Sequence, residues 1–259
     1  MVDIYNVLDP LSFGGLSYNV TDRRKFDTAI KLLRESIDSG SRASFFCSDN
    51  LITWNKNLSF LRSNNFMETL KSDKFSNEEK SIAWRTYTLM YFSQIASKAS
   101  GDFLELGCHK GYTALQILKK IDFKSLDKKY YLYDQFDIDN FSDEMVLKEH
   151  ENPLMYENVV EKFKDYGFVS IIKGTVPNSF KKGFPKKIAF AHIDMNHPEP
   201  EVASLEKVLP RLSNGGVIIF DDYGWWGYSA QKKALDAVVK CHGYDILEIP
   251  TGQGLLIKP

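Results

Sequence analysis

Residues 103–113 read Phe-Leu-Glu-Leu-Gly-Cys-His-Lys-Gly-Tyr-Thr. A short apolar strand, Phe103–Leu106, runs into a turn bearing Gly107 and Gly111, and Thr113–Lys120 after it has helical character. Gly107 lets the chain turn sharply off the strand, and Gly111 lets the helix start close to a ligand. Glu105 is the odd residue, because a carboxylate inside an apolar strand is costly unless a donor meets it. A ligand ammonium or the amides of the turn are the donors expected. No glycine stands between 107 and 111, which departs from the G-x-G-x-x-G pattern of nicotinamide-binding turns. No Walker Lys-Ser/Thr follows either, which excludes a phosphate-cradling P-loop.

Outward from this turn the chain alternates strand and helix. Strands are expected at Tyr130–Tyr133, Val169–Ile172, Ile188–Ile193, Val217–Phe220, Tyr244–Ile249 and Leu255–Ile257. Helices are expected at Tyr156–Tyr166, Glu199–Leu212 and Ser229–His242, with Asn214-Gly215-Gly216 stopping the second of them. Apolar strands alternating with helices predict an α/β fold with a doubly wound, mostly parallel, seven-stranded sheet over residues 101–259. Residues 1–100 read differently, as a mainly helical extension. Phe26, Ile30, Leu33 and Ile37 form a stripe over Asp22–Ser39, and Ser76 with Glu79 makes a capping-box pattern opening a helix over Ser76–Lys98. The stretch 41–66 between them reads as irregular.

In a doubly wound sheet, ligands bind at the carboxyl ends of the strands, and several such ends carry polar residues. Asp134 follows Tyr-Leu-Tyr, where an acid can accept both hydroxyls of a ribose; a surface role in the acidic loop 134–144 is the alternative. Gly174 and Thr175 follow the third strand, where backbone amides can approach an adenine or merely form a turn before Pro177. Asp194 ends the fourth strand, and Asp221 and Asp222 end the fifth. Three like charges brought together repel, and a cation resolves the repulsion most simply; oxygen ligation suits Mg²⁺ or Ca²⁺ better than zinc. His192-x-Asp194 has the form of a facial-triad iron site, with His197 or His242 as a third ligand, but the fold pattern is not that of such oxygenases. His197, close beyond the strand end, is a candidate general base.

The chain has 259 residues, 43% of them hydrophobic, with 33 Lys+Arg against 34 Asp+Glu and a formal charge of −1. That balance gives no support to nucleic-acid binding, which shows as a strongly basic face. Three cysteines without CxxC spacing argue against a disulfide framework and a zinc knuckle, and fit a reducing cytoplasm. No apolar run is long enough for a membrane span, and residues 1–15 lack the form of a signal peptide.

Taken together, FLELGCHKG resembles the first motif of class I S-adenosylmethionine-dependent methyltransferases. YLYDQFD, IIKGTVPNSF, AHIDMN, LPRLSNGGVIIFDDYG and QKKALDAV resemble the macrocin O-methyltransferase family, which modifies sugar hydroxyls. IDMNHPEPEVASLE and PTGQGLLIKP resemble a narrower subgroup. The resemblance covers roughly residues 85–259 and implies a Rossmann-like methyltransferase fold. It implies S-adenosylmethionine as cofactor, its methionine part surrounded by Glu105, Gly107, Cys108, His109, Gly111, Tyr112 and Thr113. Asp134 with Gln135 would hold the ribose, and Gly174 with Thr175 would lie near the adenine. Asp194, Asp221 and Asp222 match divalent-metal ligands, Mg²⁺ or another, and Asp194 also lies near the transferred methyl. Asn196 stands where the family usually has a second Asp, which removes one charge from the metal site. Asp194 and His197 are the expected catalytic residues, and the partner is a small hydroxylated acceptor, with no nucleic acid and no membrane; a homo-oligomer is compatible. Residues 1–100, with Trp54, Phe60, Phe66, Trp84 and Tyr91, are expected to act as a lid, or these aromatics to pack a core. Trp225 and Trp226 offer a surface for a ring-shaped acceptor. The rival readings are a cofactor-binding protein without turnover and a nicotinamide-dependent oxidoreductase.

Overall fold

In a computed structural model, the protein is described at residues 17–42, 45–63, 66, 68, 76–136 and 154–259. Residues 137–144 of the acidic loop, and residues 1–15, lie outside the described residues. The chain divides into two compact units, Met1–Tyr87 and Thr88–Pro259.

The first unit opens with α1 (Arg23–Ser36), capped by Asp22, whose Oδ1 accepts from the Lys25 amide at 3.0 Å. Its expected stripe of Phe26, Ile30, Leu33 and Ile37 packs with Phe45 and Cys47. A one-turn helix α2 (Ser39–Arg42) follows. The stretch 41–66, read as irregular, instead contains a hairpin of β1 (Phe46–Ser48) and β2 (Leu51–Thr53). Asp49 and Asn50 make its two-residue turn at φ 54° and 53°. Positive φ at both centres is what the twist-matched hairpin turn requires, and Asp and Asn are the side chains that tolerate it best after glycine. The capping box forms as expected at α3 (Asn77–Ser81): Ser76 Oγ accepts from the Glu79 amide, and Glu79 Oε2 from the Ser76 amide. The helix then breaks at Ile82 (ψ 34°) before α4 (Ala83–Ala96), so one expected helix is two. Arg85 on α4 forms a bidentate, buried pair with Asp49, at 2.7 and 2.8 Å.

The second unit is the sheet. Its strands are β3 (Asp102–Leu106), β4 (Tyr130–Asp134), β5 (Val169–Lys173), β6 (Ile188–Ile193), β7 (Leu212–Phe220), β8 (Leu247–Glu248) and β9 (Gly254–Ile257). They lie in the order β5-β4-β3-β6-β7-β9-β8, parallel from β5 to β7, with β9 antiparallel to both neighbours. Both faces are covered, as the continuous apolar strands require. Phe103, Tyr130, Leu132, Phe190, Val217 and Ile219 pack with Leu89 and Ala96 of α4, and with α5 (Tyr112–Lys120) and α6 (Met155–Phe163). Leu104, Leu106, Ala191, Ile193, Ile218 and Phe220 pack on the opposite side with α7 (Pro198–Val208) and α8 (Ser229–Cys241). Each Leu, Ile, Val or Phe among them contributes about 1.5–3 kcal/mol on burial.

One boundary departs from expectation. Asn214-Gly215-Gly216 does not end a helix but lies within β7, where the Gly215 amide donates to Lys258 O and the Lys258 amide to Gly216 O. Helix α7 ends at Val208, before a single 3₁₀ turn over Leu209–Arg211. Pro210 brings no amide for a further helical bond, which is reason enough for the early stop.

Candidate active site

The chain winds from β3 outward through β4 and β5, then returns to lay β6 on the other side of β3. In doubly wound sheets the ligand crevice lies where that direction reverses, here above the ends of β3 and β6. Gly107 and Asp194 meet there. Gly107 has φ 86°, and a Cβ on it would lie 1.7 Å from the Asp194 carbonyl oxygen, so only glycine fits. The Asp194 amide donates to Leu106 O at 2.8 Å, continuing the ladder to the crevice floor.

The turn is tied to β4. Gly107 and Cys108 amides donate to Tyr133 O at 2.9 and 3.0 Å, and the His109 amide to Asp134 Oδ2 at 2.7 Å, with His109 at φ 46°. Asp134 Oδ1 accepts from the Phe136 amide at 3.0 Å, so this carboxylate joins two loops as well as facing the crevice end of β4. Gln135 beside it is partly exposed. Gly111, at φ 73°, starts α5, and a Cβ there would meet the Phe163 ring at 2.5 Å. Tyr112 and Cys108 are buried, and Thr113 is partly so. Burial, then the charges of Asp134 and Glu105, hold the Cys108 thiol well above its usual range. Gly174, at φ 141°, donates its amide to Asp134 O, while Thr175 stands exposed at the end of β5.

Beneath the crevice runs a buried polar chain that the apolar strands do not advertise. Glu105 Oε2 accepts from the Tyr130 hydroxyl at 2.9 Å, and Oε1 lies 3.3 Å from His192 Nδ1. The donors that Glu105 meets are therefore side chains on β4 and β6 rather than the turn's amides. His192 Nε2 lies 3.5 Å from Asp221 Oδ1, and Gln253 Nε2 donates to the same oxygen at 2.9 Å. Burial alone pushes His192 down, but hydrogen bonds and charge from Asp221 and Glu105 outweigh it and hold the imidazole well above its usual value.

At the crevice, His192, Asp194 and Asp221 each bring one ligand atom within 4.8 Å of the others. This brings together two of the three carboxylates expected as metal ligands. Asp222 is buried next to them and, among the described residues, is not part of that converging group. Two carboxylate oxygens fit a hard divalent cation, and an imidazole nitrogen suits a softer one. His197 stands at the N-cap position of α7 without a side-chain capping bond and pairs with Glu199, Nδ1 to Oε2 2.6 Å, with both side chains mostly exposed.

Sequence reading passed over Glu201, Gln253 and Tyr130, and set His192 aside. Glu201 is fully buried, its Oε1 accepting from the Met195 amide at 3.1 Å beneath the Asp194-Met195-Asn196 corner, where Asn196 has φ 56°. Burial drives its carboxyl up to about 8; amides of Met195 and Asn196 oppose this, while the charges of Asp222 and Asp221 reinforce it. A signal existed: Glu201 sits four residues before Leu205 and seven before Val208, on the buried stripe of α7. His192 likewise shares a sheet face with Glu105, one register step across β3 and β6.

Residues 104–223 match a protein family described as "Methyltransferase domain". Over 86 residues the chain is 35% identical to the 8-demethyl-8-(2,3-dimethoxy-alpha-L-rhamnosyl)-tetracenomycin-C 4'-O-methyltransferase of Streptomyces olivaceus, an alignment covering 31% of this chain and 33% of that protein. Among solved structures, the O-methyltransferase NovP is similar with a TM-score of 0.54 and 19% identity, over 67% of this chain and 79% of its own. CalS11, a TDP-rhamnose 3'-O-methyltransferase of calicheamicin biosynthesis, is similar with a TM-score of 0.52 and 12% identity, over 93% of this chain and 97% of its own. At such identities the structural likeness is one of fold. Sheet order, crevice and domain match together define a Rossmann-like methyltransferase domain. The methyltransferase-domain match spans residues 104–223, a little under half of the chain, and the curated relative is aligned over about a third of its own length.

Proposed function

We propose that the protein transfers the methyl group of S-adenosylmethionine to a hydroxyl of a small, sugar-bearing acceptor, assisted by a divalent cation at Asp194 and Asp221. The observation that carries this reading is the junction of Gly107 with Asp194: the turn assigned to the methionine part and the acid assigned to the acceptor touch through backbone atoms. The tetracenomycin and rhamnose relatives, both methylating sugar hydroxyls by name, support the acceptor class.

On this reading residues 105–113 surround the methionine part, Asp134 and Gln135 face the ribose, and Gly174 and Thr175 flank the adenine. Holding acceptor oxygen, methyl carbon and sulfur in line is the main contribution, since alignment removes much of the entropic barrier. The hydroxyl oxygen bonds to the methyl carbon as the carbon–sulfur bond breaks, its electron pair neutralising the sulfonium to a thioether. Asp194 takes the hydroxyl proton, with His197 as the alternative acceptor. A divalent cation, when bound, supplies Lewis acidity that lowers the hydroxyl's pKa.

Titration calorimetry with S-adenosylhomocysteine and NADH tests the donor: binding of the first and not the second is expected, and the reverse would sink the reading. Methyl transfer to TDP-rhamnose, followed by mass spectrometry with Mg²⁺ and with chelator, tests the acceptor class and the cation. Asp222→Asn is expected to slow turnover less than Asp221→Asn, because Asp222 lies outside the converging group.

A further inference from the structure

The turn Pro250–Gly254 brackets the segment Asp221–Trp225. The Gly224 amide donates to Gly252 O at 2.7 Å. A Cβ on Gly252 would lie 2.2 Å from Trp225 Nε1, and one on Gly254 would lie 2.7 Å from Tyr223 Cγ, so both glycines admit aromatic side chains of the segment they clasp. The remaining contact is polar. Gln253 is fully buried, and its Nε2 donates to Asp221 Oδ1 at 2.9 Å. Its Oε1 accepts from the Thr251 hydroxyl at 3.0 Å. The amide is therefore oriented: Thr251 takes its acceptor end, which leaves its donor end for Asp221. A bracket needing only shape would be cheaper with an apolar residue, because a buried amide is costly unless both ends are used.

We infer that Gln253 is a positioning residue, which fixes the Asp221 carboxylate so that it faces a cation together with Asp194. Gln253 Nε2 donates to Oδ1 from a separate element, the turn before β9, which sets the rotation of the carboxylate. The inference rests on the reading that Asp194 and Asp221 hold a divalent cation. Partners that orient metal ligands typically matter by about 10–100-fold in metal affinity.

The test uses the full chain and Mn²⁺ as the probe, with bound Mn²⁺ followed by electron paramagnetic resonance and S-adenosylhomocysteine affinity by calorimetry. Gln253→Met keeps length and removes both polar ends; Mn²⁺ affinity is expected to fall about tenfold or more, with S-adenosylhomocysteine affinity unchanged. Thr251→Val frees the amide to turn over and should give a smaller loss in the same direction, which decides the matter if Gln253→Met does not fold. Wild-type Mn²⁺ affinity in both variants would overturn the inference and leave the cation reading standing. A parallel loss of Mn²⁺ and S-adenosylhomocysteine affinity would also overturn it, as general loosening. If the wild-type protein binds S-adenosylhomocysteine but no Mn²⁺, the cation reading and this inference fall together.

Discussion

Two glycines show how differently one residue type can be constrained. Gly107→Ala must drive a methyl group into the Asp194 carbonyl from a left-handed backbone, with no flexible side chain available to yield. Denaturant unfolding should show a loss of about 4 kcal/mol or more, the range reserved for such clashes. Gly227→Ala meets nothing within 4 Å and should stay within about 0.5 kcal/mol of wild type. Glu201 makes a prediction with a sign. Its carboxyl titrates near 8 when folded, against an ordinary value of 4.5, so between those values the folded state keeps a proton that the unfolded state has lost. Stability should therefore fall as pH rises across that window, by up to about 1.4 kcal/mol per unit, and level off above it. In Glu201→Gln the slope should flatten; urea midpoints taken from about pH 5 to about pH 9 would expose an unchanged slope and discard the assignment.

At the scale of elements, the β1–β2 hairpin and α4 are locked by one buried ion pair. Arg85→Met leaves Asp49 buried without its bidentate partner and should cost the first unit about 3–5 kcal/mol, read as a lower melting transition for that unit. The strands of the sheet were legible because each is an apolar run ending in a turn residue, and the acids at their ends were legible because they interrupt that pattern. The hairpin was missed because its strands have three residues each and their signal is the Asp49-Asn50 pair alone. The buried chain from Tyr130 to Gln253 was missed for a different reason. Its members come from three strands, the residue just past β7 and a turn, so each looks like an isolated polar residue until the fold places them side by side. The contacts of Asp134 and Gly111, with the His109 and Phe136 amides and the Phe163 ring, are tertiary and leave no mark in the sequence.

At the scale of the whole molecule, two units with separate cores should melt as two transitions. S-adenosylhomocysteine at about a hundred times its Kd should stabilise the second by about 2.7 kcal/mol and leave the first in place. Calorimetry with and without the ligand checks this, and an equal rise of both transitions would contradict it. The position of β9, inserted between β7 and β8, has a further meaning in time. During synthesis the donor turn and β3, β4 and β6 emerge early and can pair, whereas Asp221 leaves the ribosome before the residue that orients it. A nascent chain can therefore pair β3, β4 and β6 while the Asp221 carboxylate still awaits the Gln253 amide.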